Sequence, residues 1–92
     1  MRKPEDVKSL EVELDELTAM FRELDPMRAD LVVVGRRNSR FVCETTGNGS
    51  IYGHASEASW ESSVCSLRDS IVGYARSNCP EVFFRWEVEG KL

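Results

Sequence analysis

Residues 30–45 read DLVVVGRRNSRFVCET, and the fold turns on how this stretch is taken. Residues 30–35 are β-branched and apolar, and RFVCET over residues 40–45 reads as a hairpin partner. Between them Gly35, Arg36, Arg37, Asn38 and Ser39 supply the turn, with glycine and asparagine available for positive φ. A second turn is expected at Gly47-Asn48-Gly49, and a third, shorter strand at SIYGH over residues 50–54. Three strands joined by short turns make an antiparallel meander. In the first of them Leu31 and Val33 alternate with Val32 and Val34, so both faces are apolar, where a half-solvated sheet would alternate with polar residues. That pattern calls for helices on both faces, or for a second copy of the chain over one of them.

Helices flank the meander. Val7, Leu10, Leu14, Leu17, Phe21 and Leu24 are spaced 3, 4, 3, 4, 3 and predict a helix over residues 4–24 with one apolar stripe. Pro4 suits its first turn, Glu5 and Asp6 complement the helix dipole, and Asp25-Pro26 ends it. Ser56 is the expected cap of a second helix reaching Ser77, with Trp60, Val64, Leu67, Ile71, Tyr74 and Ala75 inward. Asn78 is the expected left-handed cap, and Pro80 forbids continuation. Residues 82–88, VFFRWEV, alternate and predict a last strand with Phe84, Trp86 and Val88 on its core face. The expected fold is therefore α+β in the order α-β-β-β-α-β, a four-stranded, mainly antiparallel sheet with two helices. Residues 1–92 form one domain on this reading, since the length suits one core and not two.

The α-β-β-β-α order resembles that of the double-stranded RNA-binding domain. That family carries a lysine-rich motif at the start of its last helix. Here the helix begins Ser56-Glu57-Ala58-Ser59-Trp60-Glu61, with two acids and no base, so the resemblance stops at the order of elements.

Charge is unevenly spread. The net charge is −4, yet the eight acids between Glu5 and Asp25 face only Lys8 and Arg22, and residues 26–92 balance eight acids with eight bases. A field of this sign gathers no nucleic acid and no acidic lipid. The first helix shows Glu11, Asp15 and Glu16 on its outer face, with Glu13 and Glu23 nearby, and this face is the expected binding surface for a basic partner. The expected function is a non-enzymatic protein-binding module, an inhibitor or regulator docking on a basic, nucleic-acid-handling complex. Small acidic phage-encoded inhibitors, anti-CRISPR proteins among them, are similar in size and charge. The apolar stripe Val7, Leu10, Leu14, Leu17, Phe21 and Leu24 is also a candidate homodimer seam.

Two other chemistries compete. Arg36, Arg37 and Arg40 cluster at the hairpin tip, where they would straddle a phosphate backbone if the chain bound nucleic acid. Cys43 and His54, on neighbouring strands, are the one thiol–imidazole pair a small cysteine enzyme would use. No cofactor and no metal are expected, because Cys43, Cys65, Cys79 and the single histidine lack the close spacing of zinc ligands. An odd number of scattered cysteines suits a reducing compartment, and MRKPEDV begins without the apolar core of a signal peptide. With no apolar run near the ~20 residues of a bilayer span, the expected setting is the cytoplasm and not a membrane.

Overall fold

Asn38 and Ser39 both take positive φ, 53° and 64°, which two-residue hairpin turns demand because such turns match the twist of the strands they join. The computed structural model describes residues 3–7, 9–25, 32–45 and 54–92. The expected five-residue turn thus tightens to two residues, and Gly35, Arg36 and Arg37 join the first strand. β1 (Val32–Arg37) pairs antiparallel with β2 (Arg40–Thr45), from Val32 opposite Thr45 to Arg37 opposite Arg40. Asp30 and Leu31 lie outside the described residues, as do residues 46–53, which hold the expected glycine turn and the start of the expected third strand. β3 is His54–Glu57, paired antiparallel with β2, and the sheet order is β1-β2-β3.

The helices start later than expected, each at a serine. Pro4–Asp6 is a separate 3-10 turn, and α1 runs Leu10–Leu24 with Ser9 accepting from the Val12 N–H at 3.4 Å. Ser56 belongs to β3, and α2 (Trp60–Asn78) is capped by Ser59, whose Oγ accepts from the Ser62 N–H at 3.2 Å. Asn78 is the last residue of α2 and keeps a negative φ; its side chain donates back to the Tyr74 carbonyl at 3.1 Å.

The expected fourth strand is a helix. Pro80 ends α2 and at once opens α3 (Pro80–Val88), where a missing N–H and a fixed φ suit the first turn. On a helix Val82, Phe83 and Trp86 share a face, so Trp86 is fully buried while Phe84 and Val88 point to solvent. A Schellman turn closes α3: Gly90 takes φ 75°, its N–H reaches the Glu87 carbonyl, and the Lys91 N–H reaches that of Trp86. Among the described residues the architecture is therefore α+β with three α-helices and a three-stranded antiparallel sheet.

The core lies on one face of that sheet. Val32, Cys43 and Ala55 pack there against Leu17, Met20 and Phe21 of α1, Val64, Leu67, Ile71 and Ala75 of α2, and Trp86. On the other face the strands differ: Val33 of β1 is 37 % exposed, while Val42 of β2 is buried. The α1 stripe is consumed by this core. Leu17 and Phe21 are fully buried, and Val7, Leu10, Leu14 and Leu24 are partly buried against them, so the stripe serves the chain's own core.

Helix and strand readings of α3 part at two residues. Trp86→Ala is expected to cost about 3–5 kcal/mol in urea unfolding and Phe84→Ala less than about 0.5. Similar losses at both positions would restore the strand.

Candidate functional site

The acids of α1 divide into two sets. Glu13 is buried with Arg68 of α2, whose Nη2 lies 3.2 Å from Glu13 Oε1 and 3.0 Å from Glu16 Oε1. Arg68 is itself buried, and its Nη1 donates to the Lys91 carbonyl at 2.7 Å. Its Nε is the one buried side-chain nitrogen or oxygen without a hydrogen-bond partner among the described residues. Glu23 is held as well: it pairs with Arg85 at 3.0 Å and accepts from the Trp86 indole N–H. So Glu13, Glu16 and Glu23 serve the fold, and the expected acidic face shrinks to Glu11 and Asp15. Both of these are exposed, and no cation stands against either among the described residues.

Helical geometry places that remaining pair. The Thr18 hydroxyl of α1 accepts from the Val32 N–H at 3.0 Å, so the Thr18 flank of α1 faces the start of β1. Residues three, four and seven positions earlier lie on the same flank. These are Asp15, Leu14 and Glu11. The two acids therefore line the side of α1 that runs along the edge of β1 where no described strand pairs. A hollow of about 240 Å³ sits at the far end of this flank, lined by Leu10, Val34, Gly35, Arg36, Phe41 and Trp60. A larger groove of about 390 Å³ lies elsewhere, between α2 and α3, with Val72, Gly73 and Phe83 in its wall.

The arginines of the hairpin tip are exposed but engaged. Arg37 pairs with Glu44 at 3.3 Å, and Arg40 donates to the Ser56 hydroxyl at 3.0 Å and carbonyl at 2.7 Å, with Glu57 at 3.9 Å. Arg36 lies over the Phe41 ring, 5.3 Å from its centre. Arg37 and Arg40 share the outer face by register, while Arg36 sits on the core face, so the three do not form one phosphate-facing row.

By register the candidate residues Cys43 and His54 fall on opposite faces of the sheet. Cys43 stands opposite Ala55 and Glu44 opposite His54, so the neighbour of Cys43 on its own face is alanine. Burial, aided by the charge of Glu44, pushes the Cys43 thiol up to about 12, far from the thiolate a nucleophile requires. Cys65 is buried, Cys79 is half-buried, and none of the three cysteines is joined in a disulfide among the described residues. Among the described residues no three metal-ligating side chains meet, and no helix is long and apolar enough to cross a membrane. No protein-family model, no curated protein and no solved structure matches the chain.

Sequence reasoning missed Arg68. The signal was present: residues 64, 68, 71 and 75 are spaced 4, 3, 4, which puts Arg68 inside the apolar stripe of α2.

The raised Cys43 thiol carries a pH prediction. The unfolded thiol loses its proton near 9.0 and the folded one near 12, so the contribution to stability is full below the first value and is lost as pH climbs to the second. Urea midpoints of wild type and Cys43→Ala, each at neutral pH and at about pH 10.5, measure the effect. Wild type should lose more stability on going to the higher pH than the variant does. Equal losses would mean an accessible thiol.

Proposed function

We propose that the chain is a non-catalytic protein-binding module that docks on a basic partner through Glu11 and Asp15 of α1. One observation carries the reading. After the fold has used Glu13, Glu16 and Glu23, these two acids remain exposed without a countercharge among the described residues, one turn apart on a single flank. Solvated helix faces usually mix signs, and unbalanced acids attract arginine- and lysine-rich surfaces while repelling nucleic acid. Machines that handle nucleic acid expose such surfaces, so the partner class is a nucleic-acid-handling complex and the role is that of an inhibitor or regulator. In size and charge this is the phage-type, anti-CRISPR-like kind of small acidic protein. Three cysteines outside any disulfide among the described residues favour a reducing cytoplasm. The arginine tip is the weaker candidate surface, because Arg37 and Arg40 are already held by Glu44, Ser56 and Glu57.

Exchange of charge tests the proposal. Glu11→Lys with Asp15→Lys should change the unfolding free energy by no more than exposed substitutions do, about 0.5 kcal/mol. The same variant should lose retention on a cation-presenting partner surface, represented by a lysine-rich protein such as a histone, on the order of ten-fold at low salt. Arg36→Ala with Arg37→Ala and Arg40→Ala should retain it. Tight, salt-sensitive binding of duplex or single-stranded nucleic acid, abolished in the arginine variant, would overturn the reading.

A further inference from the structure

From the edge of β1, which no described strand pairs, we infer that the partner binds as an added strand: an extended, lysine- or arginine-bearing segment that pairs with β1 under the flank of α1. The inference rests on the acidic docking proposed above and adds the form in which the partner is held.

The two-residue turn closes on Arg37 and Arg40 as a hydrogen-bonded pair, and antiparallel pairs alternate from there. Residues 33, 35 and 37 of β1 therefore spend their amides on β2, while Val32, Val34 and Arg36 turn theirs away from it. Val32 agrees, since its N–H goes to Thr18. The Val34 and Arg36 N–H groups meet no acceptor among the described residues, and a row of such groups is a template for another strand. The opposite edge is different: on β3 the Ser56 carbonyl is taken by Arg40 of the chain itself.

What surrounds this edge selects the occupant. A strand laid along β1 turns alternate side chains to the core face and to the outer face. Those on the core face pass the hollow of Leu10, Val34, Phe41 and Trp60 and then meet Glu11 and Asp15. A long basic side chain satisfies both conditions, because its methylene stem covers apolar surface while its head stays at the acids. Those on the outer face lie beside Val33, 37 % exposed, and Gly35, where an added Cβ would find nothing within 4 Å. Apolar side chains fit there. The occupant is thus an extended protein segment in which basic and apolar residues alternate. It is recognised by backbone pairing at Val34 and Arg36 and by charge at Glu11 and Asp15.

The probe is a soluble seven-residue peptide of alternating lysine and valine, followed by amide NMR of the labelled protein. Two copies of the peptide, one N-methylated at the lysines and the other at the valines, keep every charge and remove alternate backbone donors. The inference expects the Val34 and Arg36 amides to shift and their exchange to slow on adding the parent peptide, with at least one methylated copy binding ten-fold or more weakly. It also expects Glu11→Lys/Asp15→Lys to weaken the parent peptide. A parent peptide that does not bind, or shifts confined to α1 with both methylated copies binding as the parent does, would overturn strand addition. In the second case the acidic docking would survive alone. Protected Val34 and Arg36 amides with undiminished affinity in the lysine variant would overturn the acidic docking and leave the edge as the binding element.

Discussion

The structure depends on one buried cation. Arg68 sits in the middle of α2 with almost no contact with water, and a charge so placed costs several kcal/mol unless its partners are close and well directed. Glu13 and Glu16 of α1 approach one of its terminal nitrogens, and the Lys91 carbonyl accepts from the other. Three separate stretches are thereby held together: α1, α2 and the turn that closes α3. Apolar contact alone would let α1 slide or rotate on α2, since one leucine of its stripe resembles the next. A buried guanidinium with two assigned carboxylates fixes a single register. A second tie repeats the device at the other end of α1, where Glu23 binds Arg85 and the Trp86 indole and so seats α3.

This constraint shapes the surface as well as the core. Acidity that looks uniform in the sequence is partitioned by it, with Glu13, Glu16 and Glu23 turned toward α2 and α3 and Glu11 and Asp15 left on the other flank. Position along the helix decides the partition. Thr18, bonded to Val32, marks the flank that borders β1, and the two free acids follow from it by helical spacing. The basic tip is partitioned in the same way, by Glu44, Glu57 and Phe41. An acidic flank beside a strand edge unpaired among the described residues is what remains.

Much of this was legible before any coordinates. The hairpin over residues 32–45 follows from β-branched residues around Asn38, and the stripes of α1 and α2 from their spacing. The last element was misread because VFFRWEV satisfies two periods at once: Phe84, Trp86 and Val88 alternate, while Val82, Phe83 and Trp86 recur as on a helix. Pro80 was read as a stop, and it is equally a start. The site was less legible. Treating every acid of α1 as solvated overlooked that Glu13 falls in the series 10, 13, 17, 20, 24, which is the buried stripe itself. A charged residue inside an apolar stripe on one helix, and a countercharge inside the stripe of another, is a readable sign of a buried pair. Which flank the remaining acids occupy was not readable, because it depends on the contact between Thr18 and a strand distant in sequence.

A double-mutant cycle on Glu13 and Arg68 tests the central claim directly. Arg68→Met takes the guanidinium from the buried Glu13 carboxylate and should destabilise by about 3–5 kcal/mol in urea unfolding, while Glu13→Leu leaves Arg68 with Glu16 and should cost less. Together they replace the pair with apolar side chains, and the double variant should recover toward wild type, with a coupling of more than about 1.5 kcal/mol. Losses that simply add in the double variant would contradict the account, because Arg68 and Glu13 would then be independent residues and not the tie that sets the register of α1.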